Sequence, residues 1–401
     1  MKALMLILDG AADRPLRDLD GNTPLEAATV PNLNALASLG VNGLLDPIAP
    51  GIRVGSDTTH LALLGYDPYE IYSGRGPFEA LGIGLDLGKG DIALRCNFAT
   101  VKEDTTVLDR RAGRISEGTQ RLAEALTQID LGQDIIFKES VDHRGVLVLR
   151  GKGRELNPRV SDSDPHRVGE KIQRVVALDD STAAKATADL LNDFSEKARK
   201  VLKAHEVNKL RRKEGKPPAN AILLRGCGKA VPTESFRDKY CMKGSCMATV
   251  AIIKGIARAT DMDLLDVPVD YSTRVKRALD SLEECDFLLM NIKEPDEASH
   301  DHDHEKKMQL IKEIDSAVAP LLDFVEENYL VILSDHTTST SYGDHTGDPV
   351  PLTIVGPEVR SDEIEKFNER SAAKGGLGRI RGRDLMPILV DLMNKSEKFG
   401  A

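Results

Sequence analysis

An α/β fold, with a mostly parallel sheet flanked by helices and a smaller α/β (α+β) domain inserted into it, follows from three observations. First, residues 3–8 (ALMLIL), 287–292 (FLLMNI) and 329–335 (YLVILSD) are short apolar runs that end in polar, acidic residues. Such runs fit strands buried on both faces of a parallel sheet. Second, Met308, Ile311, Ile314, Val318 and Leu321–Leu322 recur at helical spacing between the last two runs. Strand, helix, strand is the unit of a parallel sheet. Third, the middle of the chain reads differently. Residues 90–175 hold short candidate strands (IALRCNF, GVLVL) among many turn residues, and 182–214 read as one long amphipathic helix. Gly215-Lys216-Pro217-Pro218 then stops the helix, and AILLRG resumes the buried-strand pattern. The predicted division is a discontinuous sheet domain, 1–82 and 215–401, with an inserted domain over 83–214.

Length supports more than one domain, since 401 residues exceed what one hydrophobic core usually serves. With 4% aromatic residues and no Trp, the core must rest on Leu, Ile, Val and Ala. The net charge of −10 argues against sequence-independent binding of nucleic acid, which needs Lys and Arg to neutralise phosphates. No run approaches the roughly 18 apolar residues of a membrane-spanning helix. The apolar N-terminal run meets Asp9 too early for a signal peptide. Five scattered cysteines (Cys96, Cys227, Cys241, Cys246, Cys285) without zinc-ligand spacing read as reduced thiols, so the expected location is the cytoplasm. No interface signal stands out, and the oligomeric state stays open.

In a parallel sheet, ligands bind beyond the carboxyl ends of the strands. The residues just after the three runs are therefore the first candidates. Five of nine histidines (His300, His302, His304, His336, His345) fall within residues 300–345, interleaved with Asp296, Asp301, Asp303, Asp335 and Asp344. Imidazole and carboxylate together suit zinc or manganese. Asp296 and His300 follow a buried strand four residues apart, so one helical turn can aim both at one ion. His302 and His304 fit a solvated helix start better. Asp335-His336 ends another buried strand, and neighbouring side chains that diverge can serve two ions. His345 lies in the turn-rich SYGDHTGDPVP stretch. Asp9 joins from the other end of the chain, unless it only caps a following helix. The nucleophile candidate is Ser56 in VGSDTTHLALLG, placed by Gly55 at the start of an apolar helix. An N-cap role for Ser56 is the plain alternative, and Thr58 or Thr59 could substitute as nucleophile.

These residues resemble a known family. ILDG at 7–10, GSDTTH at 55–60, PDEASH at 295–300, SDH at 334–336 and DHTGDPVP at 344–351 are similar to the cofactor-independent phosphoglycerate mutases, archaeal-type branch, of the alkaline phosphatase superfamily. The middle of the chain (ALRCNFATV, DRRAGRIS, DHRGVLVLRG, SDSDPH) resembles them too. The resemblance implies an alkaline-phosphatase-like metal-binding domain and an inserted, substrate-handling lid hinged near 74–84 and 215–218. It implies interconversion of 3-phosphoglycerate and 2-phosphoglycerate without 2,3-bisphosphoglycerate. Ser56 matches the serine that is transiently phosphorylated. Asp9, Ser56, Asp335 and His336 match the ligands of one metal, and Asp296, His300 and His345 those of the other. The family uses manganese, and some members accept cobalt, zinc or magnesium.

For substrate, the resemblance points to Asp109, Arg110, Arg111 and Arg114, to His143 and Arg144, and to Ser161, Asp162, Asp164 and His166. Arg225 and either Lys239 or Lys243 are further candidates. The Arg-x-x-Arg phosphate clamp of the bacterial branch is not found in register. A metal-dependent phosphomonoesterase, or a phosphopentomutase-like enzyme, would share the metal set. The arginine-rich inserted domain is the feature that separates the mutase from them.

Overall fold

The structure is a computed structural model describing residues 1–398 and 400. Contacts within the chain divide it into two units, Met1–Tyr69 with Thr233–Ala401, and Glu70–Pro232.

The first unit is built on an eight-stranded sheet. Its order is Gly378–Arg381, Val41–Asp46, Val350–Val355, Tyr329–Leu333, Ala3–Leu8, Phe287–Ile292, Gly244–Met247, Asp263–Leu265. All pairings are parallel except the two made by Val350–Val355. Ala3–Leu8 lies in the middle, and every one of its six residues is fully buried. That explains its unbroken apolar sequence: each of its larger side chains contributes roughly 1.5–3 kcal/mol on burial. Leu4, Leu6 and Leu8 share one core with Leu288, Met290, Ile311, Ile314 and Leu330. The helix expected over the 306–325 region forms as His304–Ala317 followed by a short turn of helix, Leu321–Phe324. Pro320 sits at the N-cap of the second piece, where its missing N–H costs nothing.

The second unit holds an antiparallel five-stranded sheet made of Ile92–Val101, Val107–Asp109, Ile135–Glu139, Arg144–Leu149 and Ala221–Lys229. One face carries the core, where Ile92, Leu94, Cys96 and Phe98 pack with Leu122 and Leu126 of helix Thr119–Thr127 and with Leu191 and Phe194 of helix Thr182–Ala204. Two expectations are corrected here. The AILLRG run belongs to the second unit, because Ala221–Lys229 hydrogen-bonds along Ile92–Val101. The helix expected over 182–214 breaks at His205, whose extended backbone (φ −65°, ψ 140°) ends one helix and caps the next, Glu206–Lys213. The imidazole Nδ1 accepts from the Val207 N–H at 3.2 Å, so the break supplies its own cap.

Candidate active site

Three carboxylates converge at the carboxyl ends of adjacent strands of the first unit. Asp9 follows Ala3–Leu8, Asp335 follows Tyr329–Leu333 by one residue, and Asp296 lies on the short helix Glu294–His300 after Phe287–Ile292. Pro295 lies in the first turn of that helix, and the four-residue spacing sets Asp296 and His300 on one side of it. Gly10 lets the chain turn there. Its φ is +59°, and a Cβ would stand 2.6 Å from Asp296 Oδ1. Its N–H donates to Asp335 Oδ1 at 3.0 Å.

Asp9, Asp296, Asp335 and His336 are all buried. His300 Nε2 lies 3.3 Å and His345 Nε2 3.5 Å from Asp296 carboxylate oxygens. His336 Nε2 lies 3.6 Å from Asp9 Oδ1 and 3.3 Å from Asp335 Oδ2. Two groups of ligand atoms gather within 4.8 Å: Asp296, His300 and His345, and Asp9, Asp296 and His336. Asp296 is common to both. The ring of His345 stacks on that of His336 at 3.7 Å between centroids.

Every imidazole of the set is turned the same way. His300 Nδ1 donates to the Gly343 carbonyl and His345 Nδ1 to the Val54 carbonyl, each at 2.7 Å. The Thr338 hydroxyl gives its single proton to Asp296 Oδ1 at 2.7 Å, and so accepts from His336 Nδ1 at 2.9 Å. All three rings therefore carry their proton on Nδ1 and present Nε2 inward, the state a metal needs. Thr338 touches both ligand groups at once. Thr338→Val removes one bond from each and is expected to weaken metal affinity by about 10–100-fold. Metal titration of the metal-free protein measures it.

Ser56 is the first residue of helix Ser56–Leu63, and Gly55 is the N-cap without a side-chain bond. The serine is thus no cap; its Oγ lies 3.3 Å from His336 Nε2. Asp9 does not cap a helix either. Its carboxylate accepts from Lys293 Nζ at 2.8 Å and from Asn291 Nδ2 at 3.0 Å. His60 is fully buried, donates from Nδ1 to the Ser56 carbonyl at 2.7 Å, and has Nε2 3.4 Å from Asn291 Nδ2. Burial pushes its pKa down to about 4, so it is neutral and can accept there. His60 and Asn291 thereby tie the serine's backbone to Asp9. His302 donates to the Thr340 carbonyl at 2.9 Å and packs against Gly343, which gives it a place in holding this loop.

The electrostatics of the carboxylates are uneven. Burial, with help from neighbouring acids, raises the pKa of Asp9 and raises that of Asp335 well above the usual range. Burial pushes Asp296 the same way, yet the Lys293 ammonium beside it holds it well below that range. Lys293 faces all three acids, bonded to Asp296 Oδ2 at 2.7 Å as well as to Asp9. Asp335 Oδ2 is buried without a hydrogen-bond partner. Three buried carboxylates, one ammonium and three imidazoles with Nε2 inward make an oxygen–nitrogen donor set suited to divalent ions.

The substrate candidates fall in both units. In the second, Arg110 grips Asp164 through two bonds, at 3.0 and 2.6 Å, and Arg225 Nε lies 3.5 Å from the same carboxylate. Asp162 accepts from the Gly226 N–H and faces His166 at 3.4 Å. His143 is buried nearby, and burial plus Arg144, Arg111 and Arg95 lower its pKa to about 4. Asp109 instead holds its own loop, accepting from the N–H groups of Arg111 and Gly113. Ser161 Oγ accepts from the Val176 N–H. Arg111 and Arg114 are exposed on that loop. In the first unit, Lys239 lies over the rings of Tyr66 and Tyr240. Lys243 immediately precedes strand Gly244–Met247, so it stands at the amino edge of the sheet, opposite the metal residues. The expectation that Lys243 reaches the substrate is corrected on that ground. Lys293, Asn291 and Thr338 were not foreseen. Their only signal is proximity in sequence to strand ends.

A parallel sheet with acids and imidazoles at its carboxyl edge, beside a serine at a helix start, defines a phosphoryl-transfer protein of the alkaline phosphatase type. The family described as 2,3-bisphosphoglycerate-independent phosphoglycerate mutase matches residues 37–208, and that described as type I phosphodiesterase / nucleotide pyrophosphatase matches 186–353. A 2,3-bisphosphoglycerate-independent phosphoglycerate mutase of Methanothermobacter thermautotrophicus is 49% identical, with 100% of both chains covered. One from Pyrococcus horikoshii is 46% identical over 100% of this chain and 99% of its own. Among solved structures, a cofactor-independent phosphoglycerate mutase of Thermoplasma acidophilum is 39% identical with a TM-score of 0.70, covering 98% of this chain and 100% of that one. A Pyrococcus horikoshii protein is 38% identical with a TM-score of 0.86, covering 100% and 99%. The chain belongs to the family of 2,3-bisphosphoglycerate-independent phosphoglycerate mutases.

Proposed function

We propose that this chain interconverts 3-phosphoglycerate and 2-phosphoglycerate through a phosphoserine at Ser56. The observation that carries the reading is Ser56 Oγ within 3.3 Å of His336 Nε2, beside two overlapping groups of metal-ligand atoms. Ser56 attacks phosphorus in line as the substrate C–O–P bond breaks, and glycerate remains bound. It returns with its other hydroxyl toward the phosphoserine, and the second transfer frees Ser56. Asp9, Ser56, Asp335 and His336 are proposed to hold one divalent ion and Asp296, His300 and His345 a second, manganese in this reading, which would lower the serine's pKa and neutralise charge on the phosphoryl oxygens. The helix start at Ser56 adds backbone N–H groups of favourable polarity. His60 and Asn291 position the serine's backbone.

Water must be kept out, or the phosphoserine would hydrolyse. We assign that task, and the holding of glycerate between transfers, to the second unit. Its arginine-rich composition favours a mutase over a simple phosphomonoesterase. A role in glycolysis or gluconeogenesis, in the cytoplasm, goes with this reaction and with five free cysteines.

The test is an enolase-coupled assay with manganese and 3-phosphoglycerate, without 2,3-bisphosphoglycerate. Formation of 2-phosphoglycerate that EDTA abolishes is the expected result. Release of inorganic phosphate with no 2-phosphoglycerate would replace the mutase by a phosphomonoesterase.

A further inference from the structure

Helix His304–Ala317 turns a lysine into the protein. The side chains of Lys307 and Asp13 are both fully buried, with Lys307 Nζ 2.9 Å from Asp13 Oδ2. An ammonium taken out of water is costly unless it is paired and each of its three protons finds an acceptor. Here the other two acceptors are backbone carbonyls, of Ala12 at 3.2 Å and of Thr338 at 3.1 Å. A buried ion pair adds little stability over apolar residues of similar size. Its use therefore points to what it holds in place.

What it holds is the backbone of Thr338. The Thr338 N–H donates to the Ala12 carbonyl at 3.1 Å, the same oxygen that accepts from Lys307. The Thr338 carbonyl accepts from Lys307 as well. Both backbone polar groups of this residue are thus fastened around one ammonium. Asp13 fastens the chain two residues on, accepting from the Thr340 N–H at 3.1 Å and from the Thr340 hydroxyl. The Thr338 hydroxyl is the group that joins Asp296 to His336. A threonine side chain is short and stiff at χ1, so the place of its backbone decides whether one hydroxyl can meet both partners.

We propose that Lys307 and Asp13 are positioning residues of the metal centre, acting through the Thr338 hydroxyl on His336 and Asp296. The inference rests on the metal-dependent reading of the site. Neither residue is a ligand: an ammonium has no lone pair, and Asp13 is taken up by Lys307 and Thr340. Together they keep the His336 tautomer and the Asp296 carboxylate set before an ion arrives, so binding requires less rearrangement. The rival role is a brace for strand Thr337–Ser339, in which Thr338 stands opposite His345. A brace of that kind has no need of the hydroxyl.

The experiment is calorimetric titration of the metal-free full chain with manganese, in a double-mutant cycle of Lys307→Met and Thr338→Val. Lys307→Met is expected to weaken manganese affinity by about tenfold or more when Thr338 is present, and by about twofold or less in the Thr338→Val protein. Equal losses in the two backgrounds would make Lys307 a brace of the strand alone. Unchanged affinity in Lys307→Met would remove it from the metal centre. Either result overturns the proposal. Lys307→Met leaves Asp13 buried without its counter-ion. Asp13→Asn combined with Lys307→Met removes both charges and carries the same cycle if the single variant fails to fold. Failure of the metal reading is seen separately, as an unsubstituted protein that takes up no manganese.

Discussion

Ser56→Ala is expected to remove mutase turnover by a factor on the order of 10⁴ or more, while the metal content stays near that of the unsubstituted protein. The size follows from what the hydroxyl does. The reaction moves one phosphoryl group between two oxygens of the same molecule, and the proposal makes Ser56 Oγ its carrier. The Thr338 hydroxyl also touches the ligand groups, but it is committed to Asp296 Oδ1 and to His336 Nδ1, away from the Nε2 side that Ser56 faces. Thr58 Oγ1 is engaged with the Gly55 carbonyl at 3.3 Å, and two residues on from Ser56 it points to another side of the helix. Thr59 is fully buried, its hydroxyl without a partner. Neither can take over without rebuilding the helix start. The metal should remain because carboxylates and imidazoles supply every other ligand atom. The measurement pairs the enolase-coupled rate with elemental analysis of metal per chain. A variant with full activity would remove the phosphoserine from the mechanism. Loss of both metal and activity would make Ser56 chiefly a ligand.

The parts of this site legible in the sequence share one property: each follows an apolar run long enough to announce a buried strand. Asp9, Asp296, Asp335 and His336 were found that way, and Ser56 from the turn and apolar helix around it. Lys293, Asn291 and Thr338 were not, because their importance lies in pairs made across the sheet. Asn291 meets Asp9 from a neighbouring strand, and Thr338 meets Asp296 from 42 positions away. Strand identity shows the same limit. Ala221–Lys229 looks in sequence like any buried strand, and nothing in AILLRG tells which sheet it joins. Its partner is chosen by the register with Ile92–Val101, a property of two segments together. The helix break at His205 also escaped, since the helical period continues across it and the cap depends on one imidazole.

Asp335→Asn is expected to make the metal-free protein more stable and, at the same time, to abolish most activity and metal binding. The metal-free site buries three carboxylates against the ammonium of Lys293, which bonds Asp9 and Asp296. Asp335 receives one N–H from Gly10 on Oδ1, and its Oδ2 is buried with no hydrogen-bond partner. A buried charge without a partner is among the costliest features a fold can hold. Asparagine keeps an oxygen for the Gly10 N–H. It also turns an NH₂ toward His336 Nε2, which lies 3.3 Å from Oδ2 and carries a lone pair. Trading an unmet charge for a neutral bond should raise metal-free stability by about 1–3 kcal/mol. The same exchange removes an anionic ligand, so the stabilisation that manganese gives the unsubstituted protein should largely vanish. Calorimetric melting of both proteins, with EDTA and then with excess manganese, separates the two effects. A melting temperature higher than the unsubstituted protein's in EDTA and lower in manganese identifies Asp335 as a carboxylate kept in the core for metal at the expense of the empty fold. A variant destabilised under both conditions would instead show that its role is structural.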